Sequence, residues 1–154
     1  LMPRDIAKAS SRINPHGLGV VWLDTFEVSY HKSSEYQVIV TDRPFIAHFR
    51  YATMGAINKS NTHPFKCGKN ENEWLMMNGT IRGIGNHVKS DSWVLADALG
   101  EMPRHTWREC SDARSNRFLM VGGVAVAPPF LSKWVDTCEN NFMRKSYLRK
   151  VSTA

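Results

Sequence analysis

FIAHFRYATMGAINKSNTHPF, residues 45–65, opens as a buried strand and closes as a polar loop. Phe45-Ile46-Ala47 is a short apolar run, and His48, Phe49, Arg50 and Tyr51 continue it in alternation, as at the end of a core strand. Arg50 falls where such a strand would carry another apolar side chain. A buried guanidinium needs a partner, and its planar fork matches a carboxylate. Thr53 and Gly55 break the strand. Asn58 to Thr62 is rich in amides and hydroxyls, and Asn61-Thr62-His63-Pro64-Phe65 closes the loop. This combination points to a small-molecule pocket. The plainer alternative is a strand with a surface arginine and an ordinary loop.

Working outward, Leu1 to Arg12 has helix character, with Pro3 suited to the first turn. Asn14-Pro15-His16-Gly17 stops it, because Pro15 disfavours helix at Asn14 and Gly17 permits a left-handed turn. Gly19 to Trp22 and Glu27 to His31 read as strands. Ser33 to Tyr36 reads as a turn or short helix, and Val38-Ile39-Val40 as a strand or the end of a helix, its three β-branched residues favouring the strand. Trp74 to Met77 is a further buried strand running into Asn78-Gly79, a dipeptide that favours positive φ. Phe45–Tyr51 and Trp74–Met77 are expected in central positions of their sheets. Ser90-Asp91-Ser92 caps the apolar run Trp93 to Leu99, a helix that ends at Gly100. Arg117 to Val121 and Val124 to Ala127 flank Gly122-Gly123 as a hairpin, and Lys133 to Val135 and Asn141 to Leu148 supply the last strands. Pro103 to Cys110 is open between loop and short helix. The pattern is β-rich with two or three helices, the mark of an α+β sandwich.

The chain has 154 residues, room for one domain with a sizeable core, and its 42% hydrophobic and 22% charged residues are ordinary globular composition. No run is as long as a membrane span, so no membrane partner is expected. Cys67, Cys110 and Cys138 are odd in number and lack CxxC spacing, which reads as reduced thiols in a cytoplasmic protein. The six histidines show no metal-ligand spacing, so neither a metal nor another cofactor is expected. The formal charge of +6 attracts polyanions, but the basic residues are scattered apart from Arg144 to Lys150, and no nucleic-acid-binding motif accompanies them.

Four motifs carry chemistry: Asn14-Pro15-His16-Gly17-Leu18-Gly19, Arg50-Tyr51-Ala52-Thr53, Asn78-Gly79 after a strand, and Ser90-Asp91 at a helix start. Each has a structural reading, as turn, ion pair or cap. Arg50 suits an α-carboxylate and Asp91 an α-ammonium, the two poles of a free amino acid. A pairing of Arg50 with Asp91 as a structural ion pair is the alternative. Asn78 and the Gly79 N–H suit a tetrahedral oxyanion. The glycines of the first motif allow close backbone approach.

In this order the motifs resemble the class II glutamine amidotransferase domain of the N-terminal-nucleophile hydrolase superfamily. The resemblance is carried by NPHGLGVVW (14–22), residues 45–65, WLMMNGTI (74–81) and SDSWVLADAL (90–99). Arg117 to Tyr147 resembles the closing strands of small stand-alone members, virus-encoded ones included. The resemblance implies a single domain over 1–154 with a four-layer αββα sandwich of two antiparallel sheets. It also implies hydrolysis of glutamine, or a related amide, to glutamate and ammonia through a cysteine thioester. By position, Arg50 binds the α-carboxylate with Thr53, Asn78 and Gly79 form the oxyanion hole, Asp91 binds the α-ammonium, and His63 lines or orders the pocket.

Two features depart from the family pattern. Its nucleophile is an N-terminal cysteine whose own amino group is the base, whereas this chain starts Leu1-Met2-Pro3 and precedes the Asn14 turn by too few residues for both the cysteine-bearing strand and a helix. The expectation is therefore no turnover from these residues alone, and an open sheet edge filled by another protein chain or by a further segment. Met77 also stands where histidine commonly precedes Asn-Gly. Cys67, the nearest internal thiol, lacks the free amino group that would activate it. The other function classes are a non-catalytic relative that binds a ligand or protein, and a basic nucleic-acid-binding protein.

Overall fold

The computed structural model describes residues 2–67, 73–103, 106, 117–121 and 130–131. These residues gather into two compact units: residues 2–52 and 57–64 form the first, and 53–56 with the described residues from 65 onward form the second. The described residues are α+β, with two antiparallel sheets and helices.

In the first unit, α1 (Arg4–Ile13) starts where the Pro3 carbonyl accepts from the Ile6 and Ala7 amides at 3.1 and 3.2 Å. Proline at this N-cap costs nothing, since its missing N–H would have had no intrahelical partner. Ala7, Ser10 and Ser11 are the buried face, and the two hydroxyls are satisfied by the Ile6 and Lys8 carbonyls. The helix stops at Asn14, as the Asn-Pro pair dictates.

The first sheet has the order β2 (Val28–His31), β1 (Leu18–Trp22), β3 (Phe45–Phe49). Every residue of β1 is buried, and β1, not the expected Phe45 strand, is the middle strand. The reason lies in its partners: β2 and β3 pair along its two edges, Leu18, Val20 and Trp22 fill one face, and Gly19 admits the His63 backbone on the other. β3 also ends two residues earlier than Tyr51, which is exposed. One face of this sheet, carrying Leu18, Val20, Trp22, Phe45 and Ala47, packs with Met2, Ala7 and Ile39 into a single apolar cluster.

Ser33–Ile39 is 3₁₀ helical with a kink at Glu35, so of the two readings of Val38-Ile39-Val40 the run is the end of a helix and not the favoured strand. Burial overrides the β-branched preference here: Ile39 is inserted in the cluster with Val38 and Val40 packed around it. Glu35 fixes the start by accepting from the Lys32 amide at 2.7 Å.

In the second unit the sheet order is β4 (Phe65–Lys66), β5 (Trp74–Asn78), β6 (Arg117–Val121), β7 (Phe130–Leu131). The Trp74 strand is interior, as its apolar run predicts. The expected strand at 124–127, its hairpin glycines and the later strands lie outside the described residues. α2 (Asp91–Gly100) buries Leu95, Ala96 and Leu99 against Phe65, Cys67, Leu75, Met77 and Ile81. Ser90 caps it by accepting from the Trp93 amide at 3.3 Å.

Candidate functional site

In the first unit, alternation along β3 sends Phe45, Ala47 and Phe49 into the apolar cluster and Ile46 and His48 to the opposite face. Arg50 continues that second set. Its backbone keeps the ladder going beyond the strand: Arg50 N–H donates to Gly17 O at 2.8 Å, and His16 N–H donates to Arg50 O at 3.0 Å. His16 then accepts the Ala52 amide on Nδ1 at 2.9 Å. The Asn14–Gly17 turn is itself tied down by Ser33, whose hydroxyl donates to Asn14 O and accepts from Gly17 N–H. A short polar network thus sets where Arg50 leaves the sheet. Its side chain is buried, with 3% exposure.

His63 is brought to the same face. The His63 carbonyl lies against Gly19 so closely that a Cβ there would come within 1.4 Å of it, and Gly17 would likewise meet Thr62 Oγ1 at 2.6 Å. The two glycines of the first motif therefore admit the Asn61–Pro64 segment onto the sheet, as the sequence suggests. The His63 ring lies 3.9 Å from the His48 ring, centroid to centroid. Burial first, then the nearby His48 and Arg50 charges, hold the His63 pKa well below the ordinary histidine value. At neutral pH it is a neutral imidazole that orders its surroundings, and not a cation.

Tyr30 completes the setting by donating its hydroxyl to Pro64 O at 2.7 Å. Sequence reasoning singles out neither His48 nor Tyr30. The signal for His48 is its two-residue spacing from Arg50 on β3, while the Tyr30 contact spans too long a sequence distance to be read.

In the second unit, Asn78 ends β5 opposite Arg117, and Gly79 follows with φ 119, a conformation open to glycine. The chain after Gly79 is anchored twice. Thr80 Oγ1 lies 3.0 Å from Thr53 Oγ1. The Ile81 amide donates to Asp91 Oδ2 at 2.6 Å, and Asp91 Oδ1 accepts the Ser92 amide at 2.8 Å. Asp91, 5% exposed, thereby ties the start of α2 to the strand-end turn. Each carboxylate oxygen keeps a second acceptor position, so this tether is compatible with accepting from an ammonium. Gly85 is needed beside it: a Cβ would meet the Asp91 amide at 2.8 Å, at a φ of 84.

The six residues singled out by sequence thus fall into two groups, Arg50 with His63 in one unit and Thr53, Asn78, Gly79 and Asp91 in the other. Cys67 packs in the apolar cluster of the second unit, an environment that disfavours a nucleophilic thiolate. Among the described residues no cluster of His, Cys, Asp or Glu is arranged to hold a metal ion, and no helix is long and apolar enough to cross a membrane.

Residues 33–96 match the family of class-II glutamine amidotransferases. No curated protein and no solved structure matches the chain. The matched range contains Arg50, Thr53, His63, Asn78, Gly79 and Asp91.

Proposed function

We propose, from the class-II glutamine amidotransferase match over residues 33–96, that this chain binds glutamine and serves its hydrolysis to glutamate and ammonia. One observation carries the reading: the matched range includes every residue that the sequence motifs assign to an amino-acid ligand. In this reading Arg50 holds the α-carboxylate with help from Thr53. Asp91 accepts from the α-ammonium, and His63, kept neutral, orders the Arg50 surroundings. The finer architecture proposed is one four-layer αββα domain over 1–154.

The chemistry follows from the residue types. A cysteine thiolate attacks the side-chain amide carbon, and the C=O electrons move onto oxygen. Asn78 and the Gly79 N–H stabilise that oxyanion, a contribution of roughly 3 kcal/mol per well-placed donor. Collapse, with the proton first taken from the thiol passed to the leaving nitrogen, expels ammonia and leaves a thioester, which water then hydrolyses to glutamate and the free thiol. The described residues support ligand binding and oxyanion stabilisation.

Calorimetric titration with L-glutamine tests the binding step. Saturable binding is expected, lost in Arg50→Ala while the melting temperature stays close to the parent value. Absence of binding together with a large fall in the Arg50→Ala melting temperature would instead assign Arg50 to a structural ion pair, whose breakage costs about 3–5 kcal/mol.

A further inference from the structure

The first unit holds a cavity of about 770 Å³ that none of the six residues discussed above lines. It lies between the end of α1, β2, the start of the 3₁₀ helix and the loop around Asn58. Its volume is in the range of small-molecule sites. We propose that this cavity binds a small organic anion: a phosphate or carboxylate head on a flat apolar body, of nucleoside monophosphate size.

The charge of the lining gives the sign of the ligand. Arg12, Lys32 and Lys59 all contribute to the wall, and Glu35 is the one carboxylate among the lining residues. The Glu35 carboxylate is engaged by the Lys32 amide at 2.7 Å, which commits part of its acceptor capacity to the chain's own backbone. The lining therefore carries an excess of positive charge before its two histidines are counted. His16 accepts the Ala52 amide on Nδ1, so its neutral form carries the ring proton on Nε2 and adds a donor.

The apolar part of the lining gives the body of the ligand. Tyr30 is locked by its bond to the Pro64 carbonyl, and the Lys59 ammonium sits 5.5 Å from the centre of its ring. Cation and aromatic surface are thus adjacent and oriented, the arrangement that receives an anionic head next to a planar group. Ile57, 62% exposed, adds apolar surface on the same wall. The buried hydroxyls of Ser33 and Thr62 spend their protons on the Asn14 and Asn58 carbonyls, so they offer acceptors only, and anion recognition falls to the cations and His16.

The inference stands apart from the glutamine reading, since it uses different residues. Its test is titration of the full chain, at low and at physiological salt, with adenosine 5′-monophosphate, phenyl phosphate, adenosine and inorganic phosphate. The monophosphate or phenyl phosphate is expected to bind saturably, at least tenfold more tightly than adenosine or inorganic phosphate. The Arg12→Ala/Lys59→Ala double variant should weaken that binding tenfold or more, and Ile57→Ser should weaken the two organic phosphates while leaving inorganic phosphate unchanged. All three positions are exposed, so the variants should melt like the parent. Failure of both organic phosphates to bind, equal binding of adenosine, equal binding of inorganic phosphate, or an unchanged double variant would each overturn the proposal.

Discussion

Gly19 on β1 lies directly beneath the His63 carbonyl, with no room for even a methyl group between them: a Cβ on Gly19 would fall 1.4 Å from His63 O. The neighbour is backbone, so it cannot rotate away as a side chain would. Gly19→Ala should therefore push the His63–Pro64 segment off the sheet or prevent the first unit from folding. A loss of about 3 kcal/mol or more is expected, at the upper end of overpacking effects. Urea unfolding followed by tryptophan fluorescence measures it, and a loss below about 1 kcal/mol would contradict the contact.

His63 makes stability depend on pH. Its folded pKa is held well below the ordinary value of 6.5 by burial and by the charges of His48 and Arg50. Above about 6.5 both folded and unfolded histidine are neutral and the stability is intact. As pH falls below 6.5 the unfolded chain takes up a proton that the folded chain refuses. Stability then falls by up to about 1.4 kcal/mol per pH unit until the folded pKa is reached. The slope of melting temperature against pH from 7 to 5 should be shallower in His63→Gln than in the parent. Equal slopes would place the titrating group elsewhere.

Much of the fold is legible because its signals are local. The Ser90 cap and the apolar run to Leu99 specify α2, and Gly19 to Trp22 and Trp74 to Met77 declare themselves as buried strands. Two things escape. The run Val38-Ile39-Val40 carries a strand propensity that the cluster around Ile39 overrides, and no local rule reports such packing. Strand order is equally non-local: the two-sided burial of β1 decides that it is central, and that depends on partners far along the chain. The candidate site residues are singled out in the sequence by type alone. The His48–His63 stacking and the backbone bonds of Asp91 are not legible there, because each joins segments that only the folded chain brings together.

Asp91 should prove structural as well as polar. Asp91→Ala removes the acceptor for both the Ile81 and the Ser92 amides, leaving buried donors behind, at a cost of about 2–4 kcal/mol. Ser90→Ala removes the cap on Trp93 and should cost about 1 kcal/mol. Amide hydrogen exchange separates the two effects. Ile81 should lose protection in the Asp91 variant and keep it in the Ser90 variant, and equal loss in both would mean that the tether from Asp91 does not hold the turn after Gly79.

Tyr30 offers the clearest spectroscopic check on the first unit. Burial raises its pKa from the ordinary 10 to about 12, and its hydroxyl donates to Pro64 O, a bond that exists only while the proton is present. Ultraviolet titration of the folded protein should show a tyrosine that resists ionisation until about pH 12, and this component should vanish in Tyr30→Phe. The raised value also sets a sign: above pH 10 the unfolded chain releases a proton that the folded chain retains, so stability falls with rising pH and falls less in Tyr30→Phe. At neutral pH the same substitution keeps the aromatic wall but strips the Pro64 carbonyl of its donor, at a cost of about 1–2 kcal/mol. A Tyr30→Phe variant that melted like the parent, with an unchanged tyrosine titration, would show that the hydroxyl does not hold the Pro64 end of the loop in solution.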